Sequence, residues 1–128
     1  MGDDPRKEDA MKYMLMIYQG STPLPGTPEW ALLSEEQQGA VYAGYKAVNE
    51  TPGMTPGMQM SPPETATTVR VQAGRTLTTD GPFAETKEAV GGYLFFETDD
   101  PQAAVELAGK IPAAAMGGAV EVRPIVER

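Results

Sequence analysis

The densest run of chemically able side chains in this 128-residue chain is Asp80-Gly81-Pro82-Phe83-Ala84-Glu85-Thr86-Lys87-Glu88. An acidic residue followed by Gly-Pro forces a turn that neither a helix nor a central strand continues through. Behind the turn stand Glu85, Thr86, Lys87 and Glu88. In a cleft, Asp80 would act as a general base or a ligand anchor, with Lys87 as its electrostatic partner and Glu85 as a second carboxylate. Two carboxylates in unlike surroundings can divide into acid and base. The competing role for Asp80 is to accept backbone amide bonds, such as that of Phe83, and so brace the turn. Phe83 suits a core anchor better than a substrate platform. Tyr18 could line the same cleft, and an inward hydroxyl there needs a partner. Spacing along the chain leaves open whether these groups converge.

What the composition withholds narrows the chemistry. The chain has no cysteine and no histidine. Thiolate nucleophiles, disulfides, imidazole metal sites and the Ser-His-Asp triad are thereby excluded, and proton transfer falls to carboxylates, Lys or Tyr. No transition-metal site and no cofactor is expected, because scattered carboxylates rarely hold such a metal unaided. A net charge of −8 would repel nucleic-acid phosphates, so no nucleic-acid partner is expected. No apolar run approaches the ~20 residues of a membrane helix, and Met1 to Ala10 lacks the apolar segment of a signal peptide. The expectation is a cytoplasmic protein with no membrane partner. Residues 1–10 read as a flexible extension, and 11–128 as a single domain.

The elements that must position these groups follow in order. Lys12 to Tyr18 predicts a strand apolar on both faces, with Tyr13, Leu15 and Ile17 opposed to Met14, Met16 and Tyr18. Gln19 to Glu29, with its prolines and glycines, is a loop. Ser34-Glu35-Glu36-Gln37 predicts a capping box opening a helix, which would bury Val41, Tyr45 and Val48. Asn49 to Pro63 holds a tandem repeat, Thr51-Pro52-Gly53-Met54 and Thr55-Pro56-Gly57-Met58. Its prolines and glycines predict a loop, either a substrate lid or an irregular connection resting on the core. Thr65 to Gln72 and Arg75 to Thr79 predict a hairpin turning at Ala73-Gly74. Gly91-Gly92 starts a strand, Tyr93 to Thr98, again apolar on both faces. Asp100-Pro101 caps a second helix burying Ala104, Leu107, Ala108 and Ile111, and Pro112 stops it. Capping accounts for Asp99 and Asp100 without a metal. Val120 and Val122 alternate with Glu121 and Arg123 in a last, half-covered strand, where Pro124 suits a sheet edge.

The stretch Asp80-Gly81-Pro82-Phe83 with its charged continuation resembles the signature of the DGPF branch of the YCII-related (YciI-like) proteins. The resemblance runs along nearly the whole chain from Met11. It implies an α+β domain and, through face-to-face pairing of sheets, a dimeric α+β barrel. The order of elements independently predicts a ferredoxin-like β-α-β-β-α-β arrangement with an extra hairpin strand and two helices on one face of an antiparallel sheet. That leaves the second faces of two apolar strands uncovered, which predicts a homodimer. In the broader YciI branch an Asp at this turn is thought to pair with a His. No His is present, so that dyad cannot form. The resemblance suggests isomerase-like or hydrolytic chemistry on a small-molecule ligand beside Asp80. It also suggests, as the alternative, a regulatory role tied to extracytoplasmic-function sigma factors. Relatives in this branch usually run a longer helix where the repeat stands here.

Overall fold

Strands apolar on both faces belong in the middle of a sheet, and both such strands lie there. In the computed structural model, which describes residues 10–81 and 90–126, β1 (Met11–Tyr18) pairs antiparallel with β5 (Val90–Thr98). Leu15 stands opposite Leu94, and Met16 opposite Tyr93. β6 (Ala119–Pro124) takes the other edge of β1 and β2 (Met54–Gln59) the other edge of β5, giving the order β2-β5-β1-β6. Helix α2 (Glu35–Asn49) connects β1 to β2, and α3 (Pro101–Gly109) connects β5 to β6. This is the ferredoxin-like β-α-β-β-α-β topology.

The helices cover one face. Tyr13, Leu15 and Ile17 of β1 and Leu94 and Phe96 of β5 are buried against Val48 of α2 and Ala104, Leu107 and Ala108 of α3. Leu15 and Ile111 have no exposed surface. Of the stripe predicted for the second helix, Ala104, Leu107 and Ala108 lie on it and are buried, while Ile111 is buried just beyond its end. α3 closes at Gly109 with Lys110 as its C-cap, before Pro112 is reached, and Pro112 instead opens a short helix α4 (Pro112–Ala115), which adds Ala113 to the core. A one-turn helix α1 (Pro28–Ala31) precedes α2, capped by Thr27 and holding Trp30 inside.

The predicted caps form. Ser34 Oγ accepts from the Gln37 amide at 3.0 Å, and Gln37 Oε1 accepts from the Ser34 amide at 2.8 Å. A cap of this kind contributes about 1 kcal/mol. Asp100 Oδ1 accepts from the Gln102 amide at 3.0 Å, one residue behind Pro101.

One expectation is corrected. The Thr-Pro-Gly-Met repeat is a loop only in its first three residues: Met54, the second copy and Gln59 make edge strand β2. A Cβ on Gly53 would collide with the Glu97 carbonyl oxygen, and one on Gly57 with the Tyr93 carbonyl oxygen. Those carbonyls are four residues apart on β5, as are Gly53, in the turn before β2, and Gly57, within it. The repeat thus lets two points of backbone lie directly on the neighbouring strand. Between Thr55 and Met58 the register slips in a bulge that absorbs Pro56, whose missing amide would otherwise break the ladder.

The hairpin forms with the predicted turn but outside the main sheet. β3 (Thr67–Gln72) and β4 (Arg75–Asp80) make a separate two-stranded sheet inserted between β2 and β5. Ala73 and Gly74 both have positive φ, 51° and 75°, the backbone of a two-residue hairpin turn.

Candidate functional site

Where β1 ends, the chain turns sharply. The Thr22 amide donates to the Gln19 carbonyl at 2.8 Å, and the Ser21 amide to the Gly117 carbonyl at 3.3 Å. Gly20, with φ of 56°, lies so close that a Cβ would overlap the Gly117 carbonyl oxygen. Pro23-Leu24-Pro25 then stiffens the segment into a wall. Facing it are Val41, Tyr42 and Tyr45 of α2, one turn apart on one side of that helix. The floor is Ile17 with the start of β5, Gly91 to Leu94. Gly57 and Met58 of β2 close the third side. Together they enclose a partly open cavity of about 270 Å³.

Its walls are mainly apolar, and its polar groups are few. Gln19 Oε1 and Thr22 Oγ1 lie buried with no hydrogen-bond partner among the described residues. Both residues line the cavity. Gly91 makes the first placement possible, because a Cβ there would overlap the Gln19 side chain. The Tyr45 hydroxyl is held above its ordinary pKa by burial, against which the Ala113 backbone hydrogen bond pulls weakly down. It therefore stays protonated and neutral at physiological pH. No Asp, Glu, Lys or Arg is among the described lining residues. Such a cavity can bind and orient, but its described lining offers no nucleophile and no group titrating near neutrality.

The residues singled out from the sequence lie elsewhere or outside the description. Asp80 ends β4, exposed, opposite Thr67. Its side chain makes no hydrogen bond or ion pair among the described residues. The turn behind it is held by backbone and hydroxyl: the Gly81 amide donates to the Ala66 carbonyl at 2.6 Å, and Thr68 Oγ1 donates to the Gly81 carbonyl at 2.7 Å. Phe83, Glu85 and Lys87 lie outside the described residues, as does the Phe83 amide. Tyr18 is half-buried on the sheet face away from the helices, where its hydroxyl donates to Glu121 Oε1 at 3.1 Å. Glu121 also pairs with Arg123, which, with the Tyr18 bond, holds its carboxyl below the usual range. The partner expected for the Tyr18 hydroxyl is thus found, on the face opposite the cavity.

Gln19, Thr22 and the tyrosines of α2 carried no motif. The signals that point to them are the Gly91-Gly92 pair and the Pro23-x-Pro25 wall, legible only once the start of β5 is known to lie beside the end of β1.

Comparison with known proteins agrees with this architecture. The YCII-related domain matches residues 11–128. An uncharacterized protein of Rhizobium meliloti (strain 1021) is 31% identical over 120 residues, covering 90% of this chain and 92% of that protein. With the family's domain spanning the whole described fold, the chain belongs to the YCII-related domain family.

Proposed function

We propose that the protein binds a small molecule in the cavity between α2, the 19–25 segment and the start of β5. The observation that carries this reading is the pair Gln19 Oε1 and Thr22 Oγ1, polar atoms buried without a partner among the described residues in a mainly apolar pocket that Asn49 and Gln59 also line. Each unsatisfied group costs about 1–3 kcal/mol, a penalty a complementary ligand would remove. Apolar pockets with a few convergent polar groups are the usual form of small-molecule sites. The cleft expected beside Asp80 is replaced in this reading by one that Asp80 does not line. Isomerase-like or hydrolytic chemistry would need an acid or base from beyond the described lining, so binding is the function this site supports best. A thermal-shift screen of a chemically diverse library, with hits mapped by backbone amide NMR, tests it. Hits should move the resonances of Gln19, Thr22 and Gly91; a screen whose hits all map elsewhere, or that yields none, refutes it.

A second reading concerns the face away from the helices. Met14, Met16, Tyr93 and Phe95 are all partly exposed there, with Tyr93 and Phe95 packed edge-to-face at 5.9 Å. We propose that a second copy covers this face. Because β1 and β5 are central, a two-fold axis through the sheet would bring the same apolar pattern onto itself. The Tyr18–Glu121–Arg123 cluster would then form part of a polar rim. Light scattering should give a dimer at micromolar concentration and Met16→Glu a monomer; a monomeric wild type overturns the proposal.

A further inference from the structure

The cavity also constrains the chemistry of what it takes, an inference that rests on the binding reading above. We infer that its ligand is a flat, one- or two-ring molecule without negative charge that donates an N–H or O–H hydrogen bond to the Gln19–Thr22 turn.

Negative charge is disfavoured by the described lining. With no ionised side chain among the described lining residues, a carboxylate or phosphate entering the cavity would lose its water without gaining a counter-ion. That desolvation costs several kcal/mol. The net charge of −8 adds a long-range field that repels anions further.

The direction of the hydrogen bond follows from atom type. Gln19 Oε1 can only accept, and Thr22 Oγ1 can accept or donate. A ligand without a donor would leave the Gln19 oxygen buried and unpaired. The backbone bond from Thr22 to Gln19 holds both residues in one turn, so one ligand edge can meet both.

Shape comes from the walls. Tyr42 and Tyr45 present rings, and Pro23, Pro25 and Pro112 rigid apolar faces. Flat surfaces of this kind favour an aromatic or planar heterocyclic body. A volume of about 270 Å³ lies just below the ~300–1,000 Å³ of drug-sized pockets, which limits the body to one or two rings.

Two matched probe sets test this on the intact chain by calorimetry and amide NMR. Indole and 3-methylindole keep the N–H, whereas 1-methylindole has the same size without it. Benzamide and benzoate share a shape and differ in charge. Indole, 3-methylindole and benzamide should perturb Gln19, Thr22 and Gly91 and compete with one another. 1-Methylindole and benzoate should each bind at least about tenfold more weakly, the cost of one buried unsatisfied acceptor or one unpaired charge. Gln19→Leu should still bind indole and should lose most of the preference over 1-methylindole. Benzoate binding as tightly as benzamide, or 1-methylindole as tightly as indole, overturns the ligand class while leaving the binding site standing. Occupancy of the site only by anions or by saturated chains overturns it equally. Failure of every probe and every library compound to reach the cavity overturns the binding reading itself.

Discussion

Replacing Gly57 by alanine asks whether the repeat is a strand because its glycines let β2 lie on β5. Gly57 has no positive φ, so backbone strain is not at issue; the obstacle is the Tyr93 carbonyl oxygen, which an added Cβ would overlap. That oxygen belongs to a central strand locked on its far side by β1, with Tyr93 opposite Met16. It cannot yield, so β2 must back away. The pairs on either side of the bulge, Thr55 with Phe95 and Met58 with Tyr93, are the ones that open. Losing roughly two ladder hydrogen bonds at ~0.5–1.5 kcal/mol each gives about 1–3 kcal/mol. Gly39 provides the control. It lies in α2, exposed, and a Cβ there meets nothing within 4 Å. Gly39→Ala should stabilise the protein by about 0.8–1 kcal/mol from helix propensity alone. The two variants should therefore differ by roughly 2–4 kcal/mol in urea unfolding, read with an unchanged m-value. For a chain of this length each kcal/mol corresponds to about 4 °C in Tm. A Gly57→Ala protein as stable as Gly39→Ala would refute the close-approach reasoning and with it the account of the repeat.

Three further outcomes are expected. Asp80→Asn and Asp80→Ala should each change stability by less than about 0.5 kcal/mol, since the side chain is exposed and unbonded among the described residues. Thr68→Val, which deletes the hydroxyl bond to the Gly81 carbonyl, should cost about 1 kcal/mol, and a reversed order in chemical denaturation would show that Asp80 braces the turn after all. Ala73→Asn should stabilise the hairpin by roughly 0.5–1 kcal/mol, because asparagine tolerates the left-handed backbone that alanine adopts there at φ 51°; hydrogen exchange of the β3 and β4 amides would report it. Tyr45 should make folding weaken in alkali: its folded pKa is raised by burial, so the stabilisation is complete below the ordinary tyrosine value of about 10 and declines as pH rises from there toward the raised value. Tyr45→Phe should flatten that alkaline limb of a stability–pH curve, and an unchanged limb would contradict the assignment.

The central strands, the caps and the buried face of the second helix were legible because they are local, whereas of the stripe expected on the first helix only Val48 is buried and Val41 and Tyr45 are half-buried. Tyr13 to Tyr18 and Tyr93 to Phe96 are apolar on alternate residues of both faces, which only a central strand tolerates. Ser34 with Gln37 and Asp100 with Pro101 carry their capping bonds within a few residues. Ala104, Leu107 and Ala108 mark one face of a helix wherever that helix packs. With the hairpin and the last strand they gave the order of elements and the ferredoxin-like topology, although the place expected for the hairpin in the main sheet is taken by Met54–Gln59. The DGPF stretch also marked the family.

Other features exist only between segments far apart in the chain. Gly53 and Gly57 look like loop residues until Glu97 and Tyr93 lie against them, because a missing side chain reveals its purpose only through what fills the space. Gly91 likewise looked like a strand start, and its reason is the Gln19 side chain lying where its Cβ would be. Gln19 and Thr22 are ordinary polar residues in a proline-rich loop; what makes them a candidate site is burial beside α2 and β5, and burial is a property of the assembled chain. Local patterns specify which face of an element is apolar, whereas a cavity is what remains when those faces meet imperfectly, and that remainder is decided by tertiary packing.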